Sequence, residues 1–451
     1  MQVLKFGGTS VANAEAIQQV VEIVSRSVDR DRTILVVSAI RGCTDALIRI
    51  GNLASQRDEA YKEVIDDLQK QHHQIIKDLL PVEKHEESLE TCDSLFNSLR
   101  SIAQGVYLLG ELSPTSLDAI QGFGEQWSSR IIATKLASIG IATKWVDSRK
   151  IIRTISKGEK TAVDVQKTYS RVNEMIESNP ITQLFVMPGF IASDKQGRTT
   201  TLGRGGSDYS ASLIGMAIDA EKIEIWTDVD GVRSADPRKV ENTKYLEKIS
   251  FEEAAEMAHF GAKVLHPLTI EPAVKKNIPI YVLNSQNPSG KGTAILRSEL
   301  IEDGVKSVSF KENIRVINIF SMKMINTSGF LRRVFEIFSE NKVSVDLIST
   351  SEANISVTVD SSEKIEKTVQ ELSEFAEVFV DDDKSQVSVI GKNIVKLNGM
   401  LKRTFAPLKR CNVYMISQGA SFVNISFVVD REELTEVVKE LHYHIFEQPE
   451  E

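Results

Sequence analysis

Cysteine is scarce in this chain. Cys43, Cys92 and Cys411 are the only three in 451 residues, an odd and widely spaced set that offers neither a disulfide framework nor a cysteine-based metal site and suits a reducing compartment. Long apolar runs are missing as well. None approaches the length needed to span a bilayer, and the opening M-Q-V-L-K-F-G-G passes straight into a strand pattern without the basic start and apolar core of a signal peptide. Positive charge is in deficit, with 54 Lys and Arg against 63 Asp and Glu for a net charge of −9, and no dense basic block occurs. Nucleic acid and anionic membrane surfaces both need a concentrated basic face, so neither is an expected partner. A cytoplasmic protein acting on small molecules is the expectation. With 41% hydrophobic and 26% charged residues, the chain is long enough for two or three domains with sizeable cores.

What is present is a sustained alternation of strand and helix. Val3 to Phe6 and Thr33 to Ala39 are short β-branched runs with a helical pattern from Asn13 to Val28 between them, which predicts a parallel α/β layer. From Asp58 to Gln104 the composition shifts to Gln, Lys, Glu and His with apolar residues at helical spacing, the mark of an inserted helical subdomain at about 58–105. His72 and His73 fall inside it; neighbours on a helix do not converge on one ligand, so solvated side chains are expected. Further strands are predicted at Thr143 to Val146, Leu184 to Ala192, Lys222 to Thr227 and Pro279 to Leu283, giving one α/β domain over 1–298. Two shorter, mutually similar units follow. The first, 311–382, reads as βαββαβ. The second, 383–451, is one strand short, and the alternating run Val305 to Phe310 is the candidate to complete it, making that domain 299–310 plus 383–451 with the first unit inserted into it.

The stretch Thr199 to Asp208, T-T-T-L-G-R-G-G-S-D, packs three glycines, one guanidinium and one carboxylate between an apolar run and an amphipathic one. Backbone N–H groups at a helix start, glycines that permit close approach and the fork of Arg204 suit an anion, although a tight turn capped by Ser207 or Asp208 explains the glycines equally well. K-F-G-G-T-S repeats the logic at the end of the first strand. Lys5 supplies a point charge, Gly7 and Gly8 an open backbone, Thr9 and Ser10 hydroxyls, a set suited to a phosphate or to an ordinary strand-to-helix turn. Ser38 and Thr44 flank the turn after the second strand. Glu125 is a carboxylate in another such connection, where a first-turn glutamate stabilised by the helix dipole is the plain alternative. Trp226 to Arg238 carries Thr227 and Asp228 at a strand end, and Lys263 sits beside an apolar helix end.

Taken together, K-F-G-G-T-S, V-S-A-x-x-G-x-T, G-E, G-R-G-G-S-D, W-T-D-V-D-G, A-D-P-R and F-G-A-K-V-L-H-P stand in the order expected of the aspartokinases, members of the amino acid kinase family. The resemblance covers essentially the full length. It implies an amino acid kinase fold, a parallel-rich sheet sandwiched by helices, followed by two α+β ferredoxin-like ACT domains. It further implies transfer of the γ-phosphoryl group of ATP, with Mg²⁺, to the side-chain carboxylate of L-aspartate. By likeness Lys5 and Asp208 are the catalytic pair, with no metal ligand directly assigned. Ser38, Thr44, Glu125, Arg204, Gly205 and Ser207 take the substrate. Lys5, Gly7, Gly8, Thr9, Thr227, Asp228, Arg233, Arg238 and Lys263 line the nucleotide site. Arg233 stands where the family commonly has an aromatic residue. M-I-N-T-S-G-F-L and V-S-V-D-L-I-S-T-S-E resemble the first ACT domain of lysine-inhibited monofunctional enzymes, which implies an allosteric lysine at Met324, Phe330, Leu331, Ser344, Val345, Asp346, Thr350 and Ser351. A surface carboxylate at a strand edge is the alternative for Asp346. Paired ACT domains imply a homodimer, or a tetramer. A glutamate-type kinase of the same fold and a non-catalytic amino-acid sensor are the competing readings.

Overall fold

The computed structural model describes residues 1–157, 160–260, 267–325, 327–419 and 421–448. They form two compact units, one of 1–232 with 264–297, the other of 233–263 with 298–451.

In the first unit a sheet runs in the order Thr293–Leu296, Ile280–Asn284, Ile223–Thr227, Gln2–Phe6, Thr33–Val37, Leu184–Pro188, Thr143–Trp145. All neighbours are parallel except the Thr293–Leu296 edge, which is antiparallel. The central strands read as continuous apolar runs because both faces are covered, and Gln2–Phe6, Thr33–Val37 and Leu184–Pro188 are buried at every position. The first strand lies mid-sheet, with the second on one side and Ile223–Thr227 on the other. The chain order therefore reverses beside it, and the carboxyl ends of these strands open into one crevice, the usual place for a ligand in an open α/β sheet.

The helical insert is a pair of long helices, Ala60–Leu79 and His85–Leu109. Leu68, His72, Ile75 and Leu79 form its inward stripe, so His72 is buried. That corrects the expectation of a solvated side chain. Its Nδ1 contacts the Leu68 carbonyl at 2.7 Å and its ring packs against Phe96 and Trp127, and burial pushes its pKa down to about 4, leaving it neutral. His73 is on the flank and meets Asp93 at 2.6 Å. The expected strand from Leu184 to Ala192 is two strands. It breaks at Gly189 and Phe190, where Phe190 takes a φ of 67°, and Ile191–Ser193 pairs instead with Thr199–Thr201 in a separate ribbon.

In the second unit one antiparallel sheet runs Ile348–Thr350, Asn354–Asp360, Gly304–Phe320, Glu377–Lys392, Asn424–Asp430, Met415–Gln418. Val305, Val308 and Phe310 face Gly391, Val389 and Val387, while Ile317 and Ile319, further along the same strand, face Val380 and Val378. Two long strands thus run through both repeats, where the sequence suggests two separate sheets. Each carries a left-handed residue near its middle, Asn313 (φ 56°) and Asp383 (φ 56°), and the register shifts around Lys311 to Val316. Helices Phe330–Glu340 and Glu366–Ser373 cover one half of the sheet; Met400–Phe405 and Leu434–His442 cover the other. Residues 233–260, expected within the N-terminal domain, group here. Ala235 and Val240 pack with Val308, Val387 and Leu441, and the Val308 N–H donates to the Ser234 carbonyl at 2.8 Å.

Candidate active site

Lys5 is the penultimate residue of the first strand and points to the opposite face from Leu4 and Phe6. Its Nζ lies 2.6 Å from Oδ1 of Asp208, with the two side chains 11% and 14% exposed. Asp208 sits in the first turn of helix Gly206–Ala217, where the free N–H groups and the dipole favour negative charge. The turn that delivers this helix needs a left-handed residue at its N-cap, and Gly205 supplies it with φ 71°. Arg204, exposed on that turn, makes no ion pair with a described residue.

The first-strand turn is held against its neighbours. The Gly7 N–H donates to the Trp226 carbonyl at 3.1 Å, and a Cβ on Gly8 would stand 2.9 Å from the Ala39 carbonyl oxygen, so only glycine lets these two turns touch. Ser10 Oγ contacts Ser285 Oγ at 2.8 Å, and Ser285 donates through its N–H (2.9 Å) and hydroxyl (3.1 Å) to the Thr227 carbonyl. Three strand ends are tied into one rim.

Glu125, in the first turn of helix Phe123–Ser138, is 3% exposed. Its Oε2 finds no hydrogen-bond partner, and burial pushes its carboxyl up to about 8. A buried, half-unsatisfied acid is costly by itself. It is the arrangement expected of a group that waits for a cation.

One open cavity of about 390 Å³ gathers these groups: Lys5, Gly8, Ser38, Thr44, Glu125, Arg204, Gly205, Ser207 and Asp208 all line it. Arg41, Asp45 and Phe190 line it too and were not singled out from the sequence, although Arg41 stands inside the V-S-A-I-R-G-C-T motif and an arginine in a strand-to-helix turn is a legible signal. Gly7 and Thr9 adjoin this wall in the chain. Thr227 and Asp228 lie at the neighbouring strand end, with the Thr227 hydroxyl 3.2 Å from Asp228 Oδ1. Among the described residues no cluster of three or more His, Cys, Asp or Glu could hold a metal ion.

A chain of these proportions with this crevice matches the amino acid kinase family over residues 1–284 and ACT domains over 317–374 and 387–445. It is 33% identical to lysine-sensitive aspartokinase 3 of Escherichia coli, over 99% of both chains. The chain belongs to the aspartokinases of the amino acid kinase family. It is 36% identical to a chloroplastic aspartokinase 3 of Arabidopsis thaliana, covering 99% of this chain and 81% of that one. Among solved structures it is similar to E. coli aspartokinase III in complex with aspartate and ADP, with a TM-score of 0.85, 32% identity, and 99% of this chain and 100% of that one covered.

Other expected positions of this aspartokinase fall in the second unit. Arg233 stacks on Tyr245 with its guanidinium 4.0 Å from the ring centroid, hydrogen-bonds the Tyr245 hydroxyl, and donates to Thr243 at 2.8 Å. Arg238 pairs with Asp236 through Nε and Nη2, at 2.5 Å for the latter, on a side chain that is 74% exposed. Lys263 lies outside the described residues. Of the expected effector set, Met324, Phe330 and Val345 share one apolar cluster. Leu331, Ser344, Thr350 and Ser351 are exposed, and the Ser351 N–H donates to the Asn354 carbonyl at 2.8 Å. Asp346 is no open edge carboxylate. It is 9% exposed and already holds the Lys311 ammonium at 2.5 Å, with His259 Nε2 at 3.6 Å.

Among the described residues no helix is long and apolar enough to cross a membrane.

Proposed function

We infer that this chain transfers the γ-phosphoryl group of ATP to the side-chain carboxylate of L-aspartate, giving 4-phospho-L-aspartate, the first step toward lysine, threonine and methionine. The observation that carries the reading is one cavity that holds Arg204 and Glu125 together with the Lys5–Asp208 pair. A substrate with an α-carboxylate, an ammonium and a second carboxylate finds a partner there for each charge. Arg204, with Arg41 beside the same cavity, grips the α-carboxylate. Glu125 takes the ammonium, and its unsatisfied Oε2 is met in doing so. Ser38, Thr44, Gly205 and Ser207 complete the wall.

The attacking carboxylate is ionised at neutral pH, so no general base is needed. What the reaction needs is relief of repulsion between two anions. The carboxylate oxygen forms a bond to the γ-phosphorus while the bond to the β,γ-bridging oxygen breaks, and its electron pair leaves on ADP. Lys5 neutralises the moving group, Asp208 fixes Lys5 in place, and the N–H groups around Gly7, Gly8 and the start of helix Gly206–Ala217 stabilise charge on oxygen. Lys5, Gly7, Gly8, Thr9, Thr227 and Asp228 form the nucleotide-binding face. Mg²⁺ brought in with the nucleotide would supply further charge neutralisation, with Asp208 the carboxylate of this cavity that would face it.

Lysine is the proposed feedback inhibitor, bound at the Met324, Phe330 and Asp346 region. The E. coli relative is lysine-sensitive, and aspartokinase III has been solved in complex with lysine and aspartate, at a TM-score of 0.81 and 33% identity. A cytoplasmic homodimer, or a tetramer, joined through ACT domains goes with it, as does the division into a catalytic domain (1–298), a first ACT domain (311–382) and a second built from 299–310 and 383–451. The deciding assay traps acyl phosphate with hydroxylamine, comparing aspartate, glutamate and N-acetylglutamate while lysine is titrated. Equal turnover of glutamate, or none of aspartate, would overturn the assignment.

A further inference from the structure

Away from the active site, a second cavity of about 170 Å³ lies where the helical insert meets the sheet, lined in part by Cys92, Leu95, Trp127, Arg130, Ile131 and Trp145. Its walls mix polar and apolar side chains, and two strong donors among them are unused. Trp127 is 1% exposed and its indole N–H has no acceptor. Its ring is clamped between Phe96, at 4.1 Å, and His72, at 4.9 Å, so it cannot turn to find one. Arg130 lies with its guanidinium 3.6 Å above the Trp145 ring. Its Nε is buried without a partner, and it forms no ion pair with a described residue. Asp147 acts on Arg130 only through space, because its carboxylate is clamped by the Arg149 guanidinium at 2.7 and 2.9 Å.

A buried indole N–H and a buried guanidinium Nε–H left without an acceptor each carry a desolvation cost, and in native proteins such groups usually have partners. Here both line one cavity. Trp127 and Arg130 lie three residues apart on helix Phe123–Ser138 and both line the cavity, and a carboxylate has the two oxygens needed to accept from both. Elsewhere on the wall Leu95, Ile131, Ala133 and the face of Trp145 offer apolar contact for the body of the molecule, beside the hydroxyls of Ser88, Thr91 and Thr134. Glu87 is also on the lining, but it is 75% exposed and its carboxylate is met by Lys84 at 3.1 Å, so it leaves the carboxylate-binding donors uncontested.

We propose that this cavity is a binding site for a small monocarboxylate with an apolar body, held through its carboxylate by Arg130 and Trp127. The site is separate from both the aspartate cavity and the lysine region. Two of the three tryptophans of the chain line it, so occupancy is reported by intrinsic fluorescence.

The test titrates the full-length protein with 3-methylbutanoate and phenylacetate, and with the corresponding amides as neutral isosteres, following tryptophan emission and calorimetric heat. The acids are expected to bind saturably and the amides at least about tenfold more weakly, as for loss of one charge-assisted pair. Arg130→Met should reduce acid affinity by a similar factor. Ala133→Phe, which fills the cavity without touching a charge, should abolish binding of acid and amide alike, and melting curves establish that each variant is folded. Equal affinity for acid and amide would overturn the proposal. So would absence of saturable acid binding by the parent protein, acid binding unchanged in both variants, or a response kept in Arg130→Met but lost in Arg204→Ala, which would put the acid in the aspartate cavity.

Discussion

Glu125→Gln removes a charge while keeping the shape of the side chain, and it separates a buried acid from an ordinary one. Burial raises this carboxyl from 4.5 to about 8. Below pH 4.5 it is protonated in the folded and unfolded chains alike. As pH rises past that value the unfolded chain ionises and the folded one does not, so the folded state loses stability until pH about 8, beyond which the loss is constant. The gap from 4.5 to about 8, at about 1.4 kcal/mol for each pH unit, sets that loss at no more than about 5 kcal/mol. Glutamine carries no such penalty. The melting temperature of the variant should therefore climb relative to the parent as pH goes from mildly acidic to about 8. Activity should move the other way. An aspartate ammonium draws Glu125 into its ionised form, so substrate binding releases a proton at neutral pH, seen in calorimetry as a dependence on buffer ionisation enthalpy. The parent kcat/KM for aspartate rises with pH toward about 8 and then levels, whereas Glu125→Gln lacks that limb and shows a KM raised by about ten- to a hundredfold. A melting-temperature difference that is flat across the pH range, or equal proton release by parent and variant, would refute the reasoning.

Four further substitutions address separate parts of the structure. Lys5→Met should lower hydroxamate formation at least about a hundredfold with the aspartate affinity little changed; a loss below about tenfold would remove Lys5 from the phosphoryl path. Gly8→Ala places a methyl 2.9 Å from the Ala39 carbonyl and forces the two turns apart, so kcat should drop by about a hundredfold while circular dichroism is unchanged; full activity would mean that the turns adjust freely. Lys311→Ala frees Asp346 from its resident ammonium, and lysine should then inhibit at a concentration about threefold lower or less, while Asp346→Ala loses inhibition and keeps catalysis. An inhibition curve unmoved by either change would place the effector elsewhere.

The layered architecture was readable because buried parallel strands leave an unmistakable trace, and Val3 to Phe6, Thr33 to Ala39 and Leu184 onward are apolar apart from Lys5, Thr33 and Ser38. The break at Gly189 was not readable, since Ile191 to Ser193 continues the same apolar composition while pairing with a different partner. His72 shows a similar limit. Adjacent histidines say nothing about which one faces inward, and only the stripe shared with Leu68, Ile75 and Leu79 decides it. Within the crevice, glycine-rich turns and their charged neighbours marked Lys5, Arg204 and Asp208, but nothing in G-F-G-E-Q-W indicates that Glu125 is sealed from water. Arg233 and Arg238 look like free cations in the sequence and are spoken for by Tyr245 and Asp236, partners only two to twelve positions away. Local pairing of that kind is invisible to motif order. The grouping of 233–260 with the second unit escapes the sequence for the opposite reason, because Ala235 and Val240 meet partners some seventy to two hundred positions on.

The two strands that run through both repeats, Gly304–Phe320 and Glu377–Lys392, have a consequence for inheritance. Exchanging the first repeat for that of a relative requires two junctions, and with boundaries at 311 and 382 both fall inside these strands, close to Asn313 and Asp383, where they bend. A crossover there would join half-strands whose bulge, register and left-handed residue must all agree across the seam. The repeats are therefore expected to travel through recombination as one cassette, so that a change of effector in the first repeat is acquired by point substitution within it or arrives together with the second.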